Sequence, residues 1–197
     1  MLETSIRPIY QKYCVDPFIT FLIKYVKCSP NTMTLLALIV GLLVPIFLYF
    51  NFIMLAIILT VITGYLDTID GSFARMTSKT SVMGTIYDIV VDRIVEFAIV
   101  LGLYLQNPVD RSFAVIAMLG SMLICITSFL VVGIFSQNQS EKSFHYSPGL
   151  MERAEAFIFF ILMMIFPSYF NLLAWAFVIL VCWTVFIRLK EARLNFR

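Results

Sequence analysis

Long apolar runs follow one another along most of this chain, and that leaves few folds open to it. They cover Thr34 to Phe50, Phe52 to Tyr65, Ile94 to Leu105, Ser112 to Val132, Leu150 to Phe166 and Phe170 to Ile187, with polar breaks between them. A helix of about 20 apolar residues crosses the hydrocarbon core of a bilayer. Inside that core every backbone N–H and C=O must be satisfied within the protein, which permits helices or closed barrels only. Hydrophobic residues make up 61% of the 197 positions and charged residues 13%. An ordinary soluble domain is nearer half apolar. The expected fold is therefore an all-α membrane protein with no room for a separate soluble domain.

In detail the pattern predicts six transmembrane helices with an N-terminal interfacial amphipathic helix. Residues 1–197 are expected to form one membrane domain, with an interfacial segment over 1–30 and a six-helix core over 31–197. Residues 9–25 mix Tyr and Phe with Lys12, Asp16 and Lys24. That is too polar to span, and it reads as an interfacial helix or helix pair broken near Pro17. Glu3, Arg7 and Pro8 precede it without the apolar run of a signal peptide. The first span carries Gly41 and Pro45 and ends at Asn51; the second runs directly into Asp67. The third has too short an apolar stretch and must begin near Val82, which puts Asp88 and Asp92 on its first turns. Asn107 to Arg111 reads as a tight turn. Gln137 to Pro148 reads as a polar loop with Lys142 and His145. Glu152, Arg153 and Glu155 open the fifth span, and Pro167-Ser168 turns the chain into the sixth.

On that layout thirteen of the fourteen Lys and Arg residues fall on the side of the termini, and Arg111 alone falls opposite. Basic residues concentrate on the cytoplasmic side of membrane proteins. Both termini and the acidic stretch at 67–92 are therefore expected at the cytoplasmic face. A net charge of +2 is too small to suggest nucleic acid. The four cysteines (Cys14, Cys28, Cys125 and Cys182) have no metal-ligand spacing.

Four carboxylates in so apolar a chain need an explanation, because ionised groups at a membrane are costly unless paired, hydrated or bound to metal. Asp67 and Asp70 are three apart, Asp88 and Asp92 four apart, so each pair lies on one helical face. Gly71 and Ala74 continue the first face, and Gly84 sits one turn before Asp88. Met76 to Val82, polar from Thr77 to Ser81, reads as the turn between two antiparallel helices, which would bring the pairs together. Four facing carboxylates repel one another, and divalent cations are the natural remedy. All-oxygen ligands favour Mg2+, Mn2+ or Ca2+ over Zn2+. Two such ions could clamp a phosphoryl group during displacement, and Arg75 could offer it a bidentate fork. Two other readings stand beside this one: solvated carboxylates at a membrane surface, or an ion-coupled transporter. The acids sit near a surface and not at the midplane, which speaks against transport.

The run Asp67-x2-Asp70-Gly71-x2-Ala74-Arg75-x8-Gly84-x3-Asp88-x3-Asp92 resembles the signature of the class I CDP-alcohol phosphatidyltransferases, with all eight fixed positions filled. The resemblance implies transfer of a phosphatidyl group from CDP-diacylglycerol to the hydroxyl of a small alcohol, with release of CMP and a homodimeric assembly. It implies that Asp67, Asp70 and Asp88 hold two Mg2+ or Mn2+ ions, and that Asp92 touches one of them and acts as the general base. Gly71, Ala74, Arg75 and Gly84 would seat the CDP moiety. Asn31 and Thr34, in a Pro-Asn-x-x-Thr segment common in the family, would border the nucleotide; helix capping by Asn31 or Thr32 is the simpler account. Glu96, two turns beyond Asp88, and Arg153 are candidates for the acceptor side. The Glu152-Arg153 pair resembles that of relatives using inositol phosphate, but the span-four lysine of those relatives is missing and Ala156 stands where a second basic residue is usual. Inositol or a similar polyol is the expected acceptor. A rival within the class would transfer from a soluble CDP-linked alcohol to diacylglycerol; such enzymes are usually longer. The chain's small size points to a bacterial inner membrane.

Overall fold

The computed structural model describes residues 11–25, 29–78, 80–135 and 151–195. The polar segment with Glu3 and Arg7, residues Lys27 and Cys28, Lys79, the loop 137–148 with Lys142 and His145, and Arg197 lie outside them. All regular elements of the described chain are helical, in two compact units, Leu2–Pro108 and Val109–Arg197.

The first unit opens with a π-helical turn, Gln11–Val15, which passes straight into α1 (Asp16–Tyr25). No break occurs at Pro17, because Pro in the first turn lacks only an N–H that has no partner there anyway. Next come α2 (Pro30–Tyr49), α3 (Ile53–Met76) and α4 (Val82–Gln106). α2 is the spine, with α3 and α4 each packed along it. Its buried stripe is Ala37, Gly41, Val44 and Leu48; α4 answers with Val95, Ala98, Ile99, Gly102 and Leu103, and α3 with Ala56, Thr60 and Thr63. Small residues let helix backbones approach where no hydrophobic drive acts between them. Thr60 and Thr63 donate to the carbonyls of Ala56 and Leu59, both at 2.8 Å, so their hydroxyls are satisfied. The π turn through Val15, and α1 through Ile19 and Leu22, lie along α3 and meet Ile69 and Phe73.

The closest approach is at Gly102. A Cβ there would lie 2.7 Å from the Pro45 Cα, a backbone atom, and 2.8 Å from Leu48 Cδ1. At Gly41 the obstacle is the Val95 side chain, at 2.7 Å. At Gly120, in the second unit, nothing lies within 4 Å. Gly102→Ala should cost about 1–3 kcal/mol through forced backbone movement. Gly41→Ala should cost less, and Gly120→Ala should be neutral or stabilising by up to about 1 kcal/mol from helix propensity. Thermal unfolding in detergent would give that order; Gly102→Ala matching the native protein would refute it.

In the second unit, α5 (Pro108–Phe135) is followed by α6 (Arg153–Ile165), a 3-10 turn Pro167–Tyr169 and α7 (Phe170–Asn195). The break expected over Asn107 to Arg111 is the single residue Asn107, because Pro108 takes the first helical position. α6 meets α7 through Phe160 and Phe177, ring centroids 5.7 Å apart, and the Met151 N–H, just before α6, donates to Thr184 Oγ1 of α7 at 2.9 Å. Arg111, buried in the first turn of α5, lies 4.3 Å over the Phe170 ring.

The six-span expectation does not stand. Among the described residues four helices are long and apolar enough to cross a membrane: Pro30–Tyr49, Ile53–Met76, Pro108–Phe135 and Pro167–Leu194. α4 carries Asp88, Asp92, Arg93 and Glu96 within its length, and α6 has 13 residues. At about 1.5 Å per residue that is short of a hydrocarbon core about 30 Å thick. The fold is an all-α membrane fold with four such helices among the described residues, and the charge tally built on six spans loses its basis.

Candidate metal and nucleotide site

The site lies where the ends of α2, α3 and α4 meet. Ser29, not Asn31 or Thr32, caps α2: its side chain accepts from the Thr32 N–H at 3.3 Å. Pro30 holds the preceding residue extended, the conformation a cap needs. Asn31 is thereby released to the cavity wall. One turn on, Thr34 donates its hydroxyl to Asp70 Oδ2 at 2.6 Å in buried surroundings. Asp70 is 5% exposed.

Asp67, Asp70 and Asp88 each present a carboxylate oxygen within 4.8 Å of the others. At such distances two carboxylates repel by roughly 3–4 kcal/mol at an effective dielectric of about 20. Three crowded carboxylates, one of them buried, form a donor set that fits a hard divalent cation. Asp92 stands one turn beyond Asp88 on α4, outside that group. Its Oδ2 is 4.0 Å from Arg93, whose other nitrogen donates to Glu96 at 2.7 Å. Glu96, expected at the acceptor, thus has an ion-pair partner on its own helix and is 3% exposed.

A cavity of about 170 Å³ opens beside the carboxylates. Asn31, Thr34, Asp70, Gly71, Ala74, Arg75, Gly84 and Asp88 all line it. So do Pro30, Thr80, Ser81 and Thr85, which sequence reasoning did not single out. Ser81 had a legible signal: a serine directly before a helix is a preferred cap, and its Oγ accepts from the Gly84 N–H at 3.0 Å. A Cβ at Gly84 would crowd that oxygen at 3.1 Å and approach Asn31 Oδ1 at 3.7 Å. At Gly71 a Cβ would meet only Arg75, at 3.5 Å, so its absence leaves free space beside the guanidinium.

In the second unit, Arg153 begins α6 with its guanidinium 5.4 Å from the Phe157 ring centroid. Glu155 accepts the Glu152 N–H at 3.3 Å, the reciprocal arm of a capping box. Arg188 ties α7 to α5, donating to the Cys125 carbonyl at 2.9 Å and to Ser128 Oγ at 3.0 Å.

The sequence profile of the CDP-alcohol phosphatidyltransferases matches residues 27–187. The chain belongs to the CDP-alcohol phosphatidyltransferase family. Within the wider set, it is 29% identical over 181 residues to the inner membrane protein YnjF of Escherichia coli (strain K12), covering 86% of this chain and 85% of that protein. It is 30% identical over 151 residues to the phosphatidylinositol phosphate synthase of Corynebacterium glutamicum, covering 73% and 65%. Its fold is similar to that of the Mycobacterium tuberculosis phosphatidylinositol phosphate synthase, solved with CDP-DAG bound (TM-score 0.76, 17% identity, 91% of this chain and 93% of that one) and with manganese and citrate (TM-score 0.75, 18% identity, 90% and 88%). A likeness at that identity speaks for the fold alone.

In this CDP-alcohol phosphatidyltransferase the Thr34–Asp70 bond is a direct target. Partners that orient a metal ligand are typically worth 10- to 100-fold in metal affinity. Thr34→Val is expected to raise the Mn2+ concentration for half-maximal activity by about that factor, with much of the rate regained at saturating metal. An unchanged metal titration would show that Asp70 needs no such support.

Proposed function

We propose that this protein is a divalent-metal-dependent CDP-alcohol phosphatidyltransferase that moves the phosphatidyl group of CDP-diacylglycerol to a small polyol such as inositol, releasing CMP. The observation that carries the reading is the convergence of Asp67, Asp70 and Asp88 within 4.8 Å beside a cavity walled by Gly71, Ala74, Arg75 and Gly84. A relative that acts as a phosphatidylinositol phosphate synthase supports the choice of acceptor class. The profile match runs through both compact units, which supports one functional domain.

On this reading Asp67, Asp70 and Asp88 would hold two Mg2+ or Mn2+ ions, with Asp92 as a further ligand. Bound cations would offset the charge of the diphosphate and of the departing CMP. Arg75 forks a donor phosphate, and Gly71, Ala74, Asn31 and Gly84 leave room for the nucleotide against the backbone. Asp92 takes the proton of the acceptor hydroxyl as its oxygen bonds to the lipid-side phosphorus and the bond to CMP breaks. An alcohol is a poor nucleophile while protonated, so a base within hydrogen-bond reach is needed. Glu96 serves the acceptor side. Arg75 and Arg93 lie on the carboxylate-bearing stretches of α3 and α4, and Lys79 falls between those helices in the sequence, whereas the turn Phe50-Asn51-Phe52 at the other end of α3 carries no basic residue. That asymmetry supports a cytoplasmic site, in a bacterial inner membrane, with surrounding lipid as donor reservoir. The protein acts as a homodimer.

The test supplies purified protein with labelled CDP-diacylglycerol, Mg2+ or Mn2+, and a panel of alcohols that includes inositol with and without a phosphate. CMP release that depends on one polyol is expected. Release from a soluble CDP-alcohol with diacylglycerol would favour the reversed transfer. No release from any donor, together with metal-dependent ion flux in liposomes, would replace the enzyme with a transporter.

A further inference from the structure

The N-terminal helix is joined to the nucleotide cavity by a chain of hydrogen bonds that runs in one direction. Arg75 Nη2 donates to Ser72 Oγ at 3.0 Å, Ser72 Oγ donates to Gln11 Oε1 at 3.2 Å, and Gln11 Nε2 donates to Asp16 Oδ1 at 2.8 Å. A guanidinium at one end and a carboxylate at the other give every intermediate group a defined polarity. Turning the Gln11 amide round would set its carbonyl against Asp16, so the network determines its orientation. Such chains strengthen each member.

The two ends differ in freedom. Ser72 is 1% exposed, while Arg75 is exposed and lines the cavity. A long guanidinium side chain on an open wall has many rotamers, and this one is gripped by a buried hydroxyl. That hydroxyl is gripped in turn by a residue 61 positions earlier. Gln11 begins the π-helical turn, an irregularity that occurs frequently at functional sites. The turn is held firmly: Val15 is fully buried against α3, and Tyr65 donates its hydroxyl to the Cys14 carbonyl at 2.8 Å.

We infer that the π turn and α1 are part of the donor site, and that Gln11 and Ser72 are positioning residues that hold Arg75 ready for a phosphate of the CDP-linked lipid. The inference rests on the reading of Arg75 as the phosphate fork. A pre-set side chain has less conformational freedom to lose on binding, so the network should act on donor affinity and leave the chemical step alone.

The experiment is a double-mutant cycle on the full chain in mixed micelles, reading KM for CDP-diacylglycerol and kcat separately. Gln11→Leu and Ser72→Ala are each expected to raise KM by about threefold to tenfold, the worth of ordering one long side chain, with kcat and the Mn2+ titration held. Ser72→Thr, which keeps the hydroxyl, should restore KM. In an Arg75→Met background neither change should raise KM further. Effects that add fully to that of Arg75→Met, or a fall in thermal stability with KM unchanged, would reduce the network to a docking contact. If Arg75→Met itself leaves KM unaltered, the phosphate-fork reading falls and the inference falls with it. Gln11→Leu removes a half-buried group outside the core, so the cycle can be read even if Ser72→Ala does not fold.

Discussion

Asp88→Asn is expected to lower CMP release by about a thousandfold, which corresponds to the several kcal/mol of charge stabilisation a catalytic metal provides. The substitution keeps the size of the side chain and removes one of the three negative charges gathered within 4.8 Å. The amide offers a neutral oxygen on one side and an N–H2 donor on the other, and a donor facing a cation is repelled. Asp70→Asn would confuse the result, because Asp70 is buried and also accepts from Thr34. Asp88 sits in the second turn of α4, half-exposed, so its replacement should spare the fold. Mn2+ binding followed by electron paramagnetic resonance should weaken in parallel with the rate. If Asp88→Asn keeps more than about a tenth of the native rate, under 1.4 kcal/mol, the carboxylate group is not the metal centre.

Asp92→Asn should fail differently. A general base typically contributes 10²- to 10⁴-fold, so a fall in kcat of about a thousandfold is expected with Mn2+ binding largely retained. The distinction follows from position: Asp92 stands outside the three-carboxylate group, 4.0 Å from Arg93. Asparagine can accept a hydrogen bond from the acceptor hydroxyl but cannot take its proton. KM for the lipid donor should therefore change little. Were Asp92→Asn to abolish Mn2+ binding as Asp88→Asn does, its first role would be that of a ligand, and the base would have to be sought elsewhere.

The carboxylate site was readable from the chain because helical spacing is local. Three- and four-residue intervals place Asp67 beside Asp70 and Asp88 beside Asp92 in any helix, and the polar run before Val82 fixed the turn between them. The start of α4 at Val82 followed from the same reasoning. Hydropathy served less well for the span count. It treats a helix as the sum of its residues, and α4 carries four charged residues, Asp88, Asp92, Arg93 and Glu96, within its length. It also joined Leu150 to Phe166, whereas α6 begins only at Arg153, after Glu152 has served as its cap. Glu155, expected only in the opening turns of that span, serves the cap. Contacts such as Ser72 to Gln11 or Arg188 to the Cys125 carbonyl bridge more than 60 positions. No spacing rule reaches that far, and half the partners are backbone atoms that leave no mark in a sequence.

The placement of α2 at the centre of the first unit bears on the order in which the protein is made. Thr34 and Asp70 belong to one hairpin, α2 and α3, whose last residue is Met76. That hairpin is complete before any part of α4 has been synthesised. It already holds Asp67 and Asp70, with Arg75 on the same helix. Asp88 arrives last, on a helix whose seat along α2 requires Gly102 to slide under Pro45. A nascent chain halted near residue 80 thus carries two of the three clustered carboxylates and no way to bring in the third. On the proposed reading of the site, full metal affinity would begin only when α4 docks along α2, so that metal binding would report completion of the first unit.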